Sequence, residues 1–177
     1  RYDNQGSLSG LPSGFKELDE MTSGLQKQDL IILAARPAMG KTTLALNIAE
    51  YAALKTKKAV AVYSMEMSAG QLAQRLLSSI GRINATRLRT GQLEDEDWSR
   101  VNMAIKMLSD VKVFIDDTPA LSPDVLRSKA RRIKREHDVN LELSILYSDP
   151  TPRTLLARVR AIASEDTSVI PGDRHRH

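Results

Sequence analysis

The sequence has no cysteine and only three histidines, two of them, His175 and His177, among its last three residues. It therefore cannot build a disulfide scaffold, a thiolate zinc site or a thiol nucleophile, and little remains for a histidine metal centre. His175 and His177 alternate with Arg174 and Arg176, a pattern that reads as a polar chain end and not as a ligand set. Aromatic residues are scarce, with one Trp, four Tyr and two Phe in 177 residues, which argues against stacking on bases as a main binding mode. No apolar run approaches the roughly 18 to 20 residues that cross a bilayer, so no membrane role is expected. Neither sign of charge dominates: 26 Lys and Arg against 22 Asp and Glu leave +4, which permits a polyanionic partner without requiring one. The missing cysteines and the lack of a leader pattern lead to the expectation of a cytoplasmic protein.

The length suits one ordinary domain with a real core. Residues 1–10, RYDNQGSLSG, are polar and rich in Gly and Ser, as expected of a linker, with order beginning near Leu11. Residues 30–34, LIILA, form a continuous branched apolar run, the expected signature of a parallel strand buried on both faces. A Pro/Gly loop follows, and residues 42–54 carry Leu44, Ile48, Tyr51 and Ala52 at helical spacing. A second strand, residues 59–63, completes a βαβ unit, which sets the class as α/β. Ser68 and Gln71 make a capping-box signal for a helix carrying Leu72, Leu76 and Ile80 and stopping at Gly81. Acidic residues 94–97 open another helix whose expected inward stripe is Trp98, Val101, Ile105 and Leu108. A strand is expected at 111–115, then a helix opened by Ser122, Pro123 and Asp124 with Leu126, Ala130 and Ile133 facing the core. Residues 141–147 read as a last strand, Asp149-Pro150-Thr151-Pro152 as a break, and 155–162 as a short helix-like piece before a polar tail.

Between the first strand and its helix stands Gly40-Lys41-Thr42, the end of a P-loop pattern, GxxxxGK followed by Ser or Thr. Backbone amides of such a loop turn inward as an anion nest, and the helix start adds its positive partial charge. The expected site for Mg-ATP is Arg36, Pro37, Ala38, Met39, Gly40, Lys41, Thr42 and Thr43. Gly40 allows close approach of a phosphate, Lys41 neutralises the β and γ phosphates, and the Thr42 hydroxyl ligates Mg²⁺. Ala35 stands where the general pattern has its first glycine. Glu66 follows the second strand at the carboxyl edge of the expected sheet, where ligands of open α/β folds bind. It can orient or deprotonate an attacking water, or serve as a first-turn acid beside the helix that Ser68 opens.

Five segments, RPAMGKTTLALNIA, YSMEMSAGQLAQRLL, INATRLRTGQL, FIDDTP and ARRIKREH, together with LSGLPSGFKELDEMTSGL before them, resemble in order and spacing the motor domain of bacterial replicative DNA helicases of the DnaB type. The resemblance covers about residues 8–137. It implies a RecA-like P-loop core with a mainly parallel sheet, a hexameric ring around single-stranded DNA, ATP and Mg²⁺ as cofactors, and primase and a helicase loader as possible partners. It also implies that alanine at position 35 is ordinary and that Glu66 is catalytic alongside Lys41. The implied organisation is a linker at 1–10, a partial RecA-like core at 11–147 and an atypical tail at 148–177. After His137 the pattern departs: where the family has an aspartate supporting Mg²⁺ in Ile-Asp-Tyr, this chain has Ile145-Leu146-Tyr147. The later family features, a glutamine sensor, DNA loops and an arginine finger, find no match in 148–177. Truncation, a changed reading frame, a deletion or joined segments would each produce such a tail.

The remaining features have plainer readings. Arg127, Lys129, Arg131, Arg132, Lys134 and Arg135 can contact phosphates or form a solvated helix face, the commoner role of such clusters. Met65, Met67, Met103 and Met107 read as packing, and Trp98 as a core anchor. Two functions follow: an ATP-driven helicase motor, and a nonhydrolysing nucleotide-binding or helicase-interaction module in which Leu146 cannot support the metal.

Overall fold

The computed structural model describes residues 8–27, 29–36, 38–137, 141–147 and 157–160. Its elements in chain order are α1 (Lys16–Thr22), β1 (Leu30–Leu33), α2 (Lys41–Leu54), β2 (Ala59–Ser64), α3 (Ala69–Gly81), α4 (Ala85–Thr90), α5 (Asp95–Ser109), β3 (Val113–Asp116), α6 (Pro123–His137), β4 (Leu141–Tyr147) and β5 (Ala157–Arg160). The strands form one sheet in the order β1-β5-β4-β2-β3. β2 pairs in parallel with β3 and with β4, while β5 runs antiparallel to both β4 and β1. Four strands therefore point the same way, and their carboxyl ends share one edge.

β2 lies inside the sheet between β4 and β3, and every one of its residues is buried. Val60 and Val62 on one face pack with Ala45, Ala49 and Ala52 of α2 and with Leu72 and Leu76 of α3. Ala59, Ala61 and Tyr63 on the other face meet Leu126, Ala130 and Ile133 of α6, as their four- and three-residue spacing predicts. Alternation along one strand thus feeds two cores, one on each side of the sheet. The alanines of α2 let its backbone approach the sheet closely, while Leu72 and Leu76, 1% and 3% exposed, each contribute roughly 2 to 3 kcal/mol of burial. α3 begins with the predicted capping box, the Ser68 hydroxyl accepting from the Gln71 amide and the Gln71 side chain accepting from the Ser68 amide. Residues before α1 join the same body through a bridge between Leu11 and Leu25, and Gly14 lies so close to Tyr51 of α2 that a Cβ would meet its ring at 2.6 Å.

Several expectations change, among them the packing of Met103 and Met107, which are 50% and 38% exposed. β1 is not buried on both faces: Leu30 and Ile32 on one face are 53% and 49% exposed, while Ile31 and Leu33 on the other pack on the core. Trp98 is not a core anchor, being 53% exposed, as is Ile105 at 47%. The inward stripe of α5 is instead Asp97, Val101, Ala104 and the half-buried Leu108, one helical step away. Asp97 can occupy that face because it accepts from the Glu94 amide at 3.3 Å and pairs with Arg87 at 3.4 Å. Finally, Ala157–Arg160 is a strand where a helix-like piece was expected. Ala157 and Val159 alternate with Arg158 and Arg160 at the period of a strand, and β1 and β4 supply hydrogen-bonding partners on both sides. Of the linker expected at 1–10, residues 1–7 lie outside the described residues, while the Gly10 amide donates to the Ser23 carbonyl at 3.1 Å; the break at 149–152 and, apart from Ala157–Arg160, the tail expected at 148–177 also lie outside them.

Candidate nucleotide site

The loop that leaves β1 at the carboxyl edge of the sheet turns directly into α2. Ala38 and Gly40 both take left-handed backbone conformations, φ 62° and 81°, on either side of Met39. The Met39 amide closes the turn on the Arg36 carbonyl at 3.3 Å, and the Leu44 amide begins the helix ladder on the Gly40 carbonyl at 2.9 Å. Such alternation aims successive N–H groups into one concavity. Gly40 is the N-cap of α2, and among the described residues no side chain caps the helix there. Amides of a first helical turn lack carbonyl partners within the helix, so this end is suited to an anion. A Cβ built on Gly40 meets no atom within 4 Å, so the space above the loop is open.

Lys41 is the first residue of α2 and is 8% exposed. Thr42 is half-buried and Thr43 exposed, the latter accepting a long contact from Arg75 Nη1 of α3 at 3.5 Å. The structure thus gathers Arg36, Ala38, Met39, Gly40, Lys41, Thr42 and Thr43 around one helix start, while Pro37 lies outside the described residues. Among the described residues no cluster of three His, Asp or Glu could hold a metal by itself. Mg²⁺ bound with a nucleotide takes one or two protein oxygens and otherwise phosphate and water. Thr42 at the start of α2 offers such an oxygen.

Glu66 lies in the turn after β2, at the same sheet edge, and is exposed. Its strand is three spacings from β1, roughly 14 Å between strand axes, a gap that a triphosphate and a water can bridge. β4 lies between them and pairs Leu146 with Tyr63 and Tyr147 with Ser64, so Leu146 stands one residue before the carboxyl end of that strand. The shared edge therefore carries the loop, Glu66 and, in the strand between, a leucine.

The acidic pair after β3 is divided in use. Asp116 accepts from Lys129 Nζ of α6 and from the Thr118 amide at 3.0 Å, and Lys129 also donates to Thr118 Oγ1 at 2.8 Å. Burial pushes its carboxyl up, but the hydrogen bonds from Lys129 and Thr118 and the Lys129 charge outweigh burial and hold it below the ordinary range. Opposite Asp116 across the β2 and β3 pairing sits Tyr63, whose phenol burial, with the Asp116 charge, pushes up to about 12. Asp117 accepts from the Ala69 amide at 2.8 Å, at the start of α3. The sequence offers no sign of this contact, because 48 residues separate the partners. Lys129 also leaves the predicted solvated basic face, whereas Arg127, Arg131, Arg132, Lys134 and Arg135 remain exposed on it. A cleft of about 560 Å³ opens beside this site between α2, α3 and α4, lined by Thr43, Asn47, Glu50, Arg75 and Arg89 among others. Among the described residues no helix is long and apolar enough to cross a membrane.

Residues 10–147 match the family described as DnaB-like helicase C terminal domain. The replicative DNA helicase DnaB of Geobacillus stearothermophilus is 50% identical over 140 residues, which cover 79% of this chain and 31% of that protein. Among solved structures, one described as a DnaB-like replicative helicase and its interactions with primase superposes with a TM-score of 0.72 at 30% identity, covering 86% of this chain and 39% of that one. A solved ATPase domain gives 0.73 at 31% identity, covering 85% and 55%. The chain spans about a third of the length of the curated relative. With that match over residues 10–147, the chain belongs to the family of DnaB-like helicase C-terminal domains, with their RecA-like α/β fold.

Proposed function

We propose that this chain is the ATP-binding motor segment of a ring-forming replicative DNA helicase, an enzyme that uses ATP hydrolysis to translocate on single-stranded DNA and unwind duplex. The observation that carries the reading is the left-handed Gly40 at the uncapped start of α2, followed at once by Lys41 and Thr42. In this reading the amides of residues 38–43 and the helix start hold the β and γ phosphates, and Arg36 and Met39 border the nucleotide. Lys41 neutralises charge that grows on the transferring phosphoryl group, and Thr42 holds Mg²⁺. When bound, Mg²⁺ held through the Thr42 hydroxyl would supply positive charge against the negative charge that develops on the phosphates. Glu66 accepts the proton of the attacking water or orients it for in-line attack. Leu146 accepts no hydrogen bond from a metal-bound water, which slows turnover relative to a chain with an acid at that position.

The relatives are named as replicative DNA helicases, and a structural neighbour is described with primase, which supports single-stranded DNA and primase as partners. Self-association into a hexameric ring and docking of a loader rest on the family resemblance; the linker at 1–10 rests on its polar, Gly- and Ser-rich composition, and the core at 11–147 and tail at 148–177 on where the resemblance ends, with β5 of that tail paired into the core sheet. The nonhydrolysing module gains nothing from these relatives. Calorimetric titration with Mg-ADP tests the core of the proposal: Lys41→Ala removes a charge-assisted phosphate contact of about 1.5 to 3 kcal/mol, a ten- to hundred-fold loss of affinity. Equal affinity in the two proteins overturns it.

A further inference from the structure

We propose that residues 116–121, which join β3 to α6, are the positioning element for Glu66, and that Asp117 is its main clamp. This rests on the reading of Glu66 as the group that acts on water. Glu66 is exposed, and among the described residues its carboxylate has no hydrogen bond or ion pair, so its location is set by the backbone of the turn between β2 and α3. That turn is tied at three points. The Met67 amide donates to Ser64 Oγ at 3.0 Å, the Leu121 amide donates to Met65 Sδ at 3.3 Å, and the Ala69 amide donates to Asp117 Oδ2 at 2.8 Å. Two of the three ties come from residues 116–121, one on each side of Glu66.

The clamp is itself anchored. Asp116, next to Asp117, is locked to Lys129 of α6 and to Thr118, so the segment cannot shift without breaking a half-buried ion pair. Asp117 is the strongest of the ties, because a carboxylate accepting a backbone amide at a helix start gains from both charge and dipole. Its purpose is not simply to cap α3, which already has a complete capping box in Ser68 and Gln71. What Asp117 adds is a fixed distance between the Glu66 turn and the end of β3. A general base must stand within hydrogen-bonding reach of its water, and a displacement near 1 Å can cost about a hundred-fold in rate. The same tie gives α6, with its exposed arginines, a mechanical connection to Glu66 through Lys129 and Asp116.

The test uses the whole chain with Asp117→Ala, Asp117→Asn and Glu66→Gln. Three quantities are measured: hydrogen exchange at the Ala69 amide, affinity for Mg-ADP, and single-turnover hydrolysis of ATP followed to completion. Asp117→Ala should raise Ala69 exchange about ten-fold or more, the loss of a hydrogen bond to a charged group. Nucleotide affinity should stay within about two-fold while hydrolysis falls about ten- to hundred-fold. Asp117→Asn should recover part of both, since its amide oxygen still accepts. Unchanged exchange at Ala69, or wild-type hydrolysis in Asp117→Ala when Glu66→Gln is slow, overturns the proposal. Wild-type hydrolysis in Glu66→Gln instead removes the reading of Glu66 and with it the catalytic purpose of the clamp, while exchange at Ala69 reports separately whether the clamp exists.

Discussion

Replacing Gly40 with alanine separates two demands that the nucleotide loop places on one residue. Its φ of 81° lies in the left-handed region, where a Cβ costs about 1 to 2 kcal/mol. That Cβ meets no protein atom within 4 Å, so no steric term adds to the conformational one. The fold should therefore lose only about 1 to 2 kcal/mol, a fall in Tm of roughly 3 to 8 °C for a domain of this size. In the proposed function, the open space above Gly40 is also where the phosphates come within reach of the amides. A methyl group there holds them off and weakens one or more charge-assisted hydrogen bonds, worth about 1.5 to 3 kcal/mol, so affinity for Mg-ADP should drop ten- to hundred-fold. Gly91→Ala is the matched control: its φ is 73°, its Cβ also meets nothing within 4 Å, and it caps α4 away from the loop. Denaturant titration should show both variants destabilised by similar amounts, and calorimetry should show weakened binding in Gly40→Ala alone. Wild-type affinity in Gly40→Ala, or an equal loss in Gly91→Ala, refutes the reasoning.

Glu66→Gln should keep nucleotide affinity within about two-fold and lose most single-turnover hydrolysis, because it removes a proton acceptor and no phosphate contact. Survival of turnover within about two-fold favours a helix-dipole role for Glu66. Tyr63→Phe should be neutral or slightly stabilising near pH 7, within about 1 kcal/mol, because the buried Tyr63 hydroxyl has no partner among the described residues. With its phenol raised from 10.0 to about 12 in the fold, Tyr63 contributes stability that is present below pH 10 and lost as pH rises toward 12, and the phenylalanine variant should lack that alkaline decline in a pH series of thermal melts. The Asp116 carboxyl is lowered in the fold, so its contribution is present above its ordinary value of 3.8 and is lost as pH falls below that. Lys129→Met should flatten this acid limb, and an unchanged limb argues against the pair.

How legible the site was depended on how local its determinants are. The P-loop, the capping box at Ser68 and Gln71 and the core face of α6 are written within a few residues each, and all three stand where their spacing puts them. Trp98 failed because spacing fixes which residues share a face but not which face turns inward: Asp97, satisfied by Arg87 and the Glu94 amide, takes the buried stripe one step away. The strand at Ala157–Arg160 was missed because an isolated four-residue alternation is weak until neighbouring strands offer it hydrogen bonds.

Taken alone, the sequence determined the α/β class, the strand, loop and helix around Gly40-Lys41-Thr42 and the family, because these rest on strand and helix periods, on backbone freedom at one glycine, and on motifs in a fixed order. Tertiary structure decided what lies between distant segments. It placed β5 antiparallel between β1 and β4, left one side of β1 open at the sheet edge, buried Tyr63 opposite Asp116, and brought Asp117 to the amide of Ala69 across 48 residues. The physical reason is that each of these depends on which strands lie side by side. That arrangement is settled only when long-range burial and hydrogen bonding outweigh the entropy of closing the chain between them.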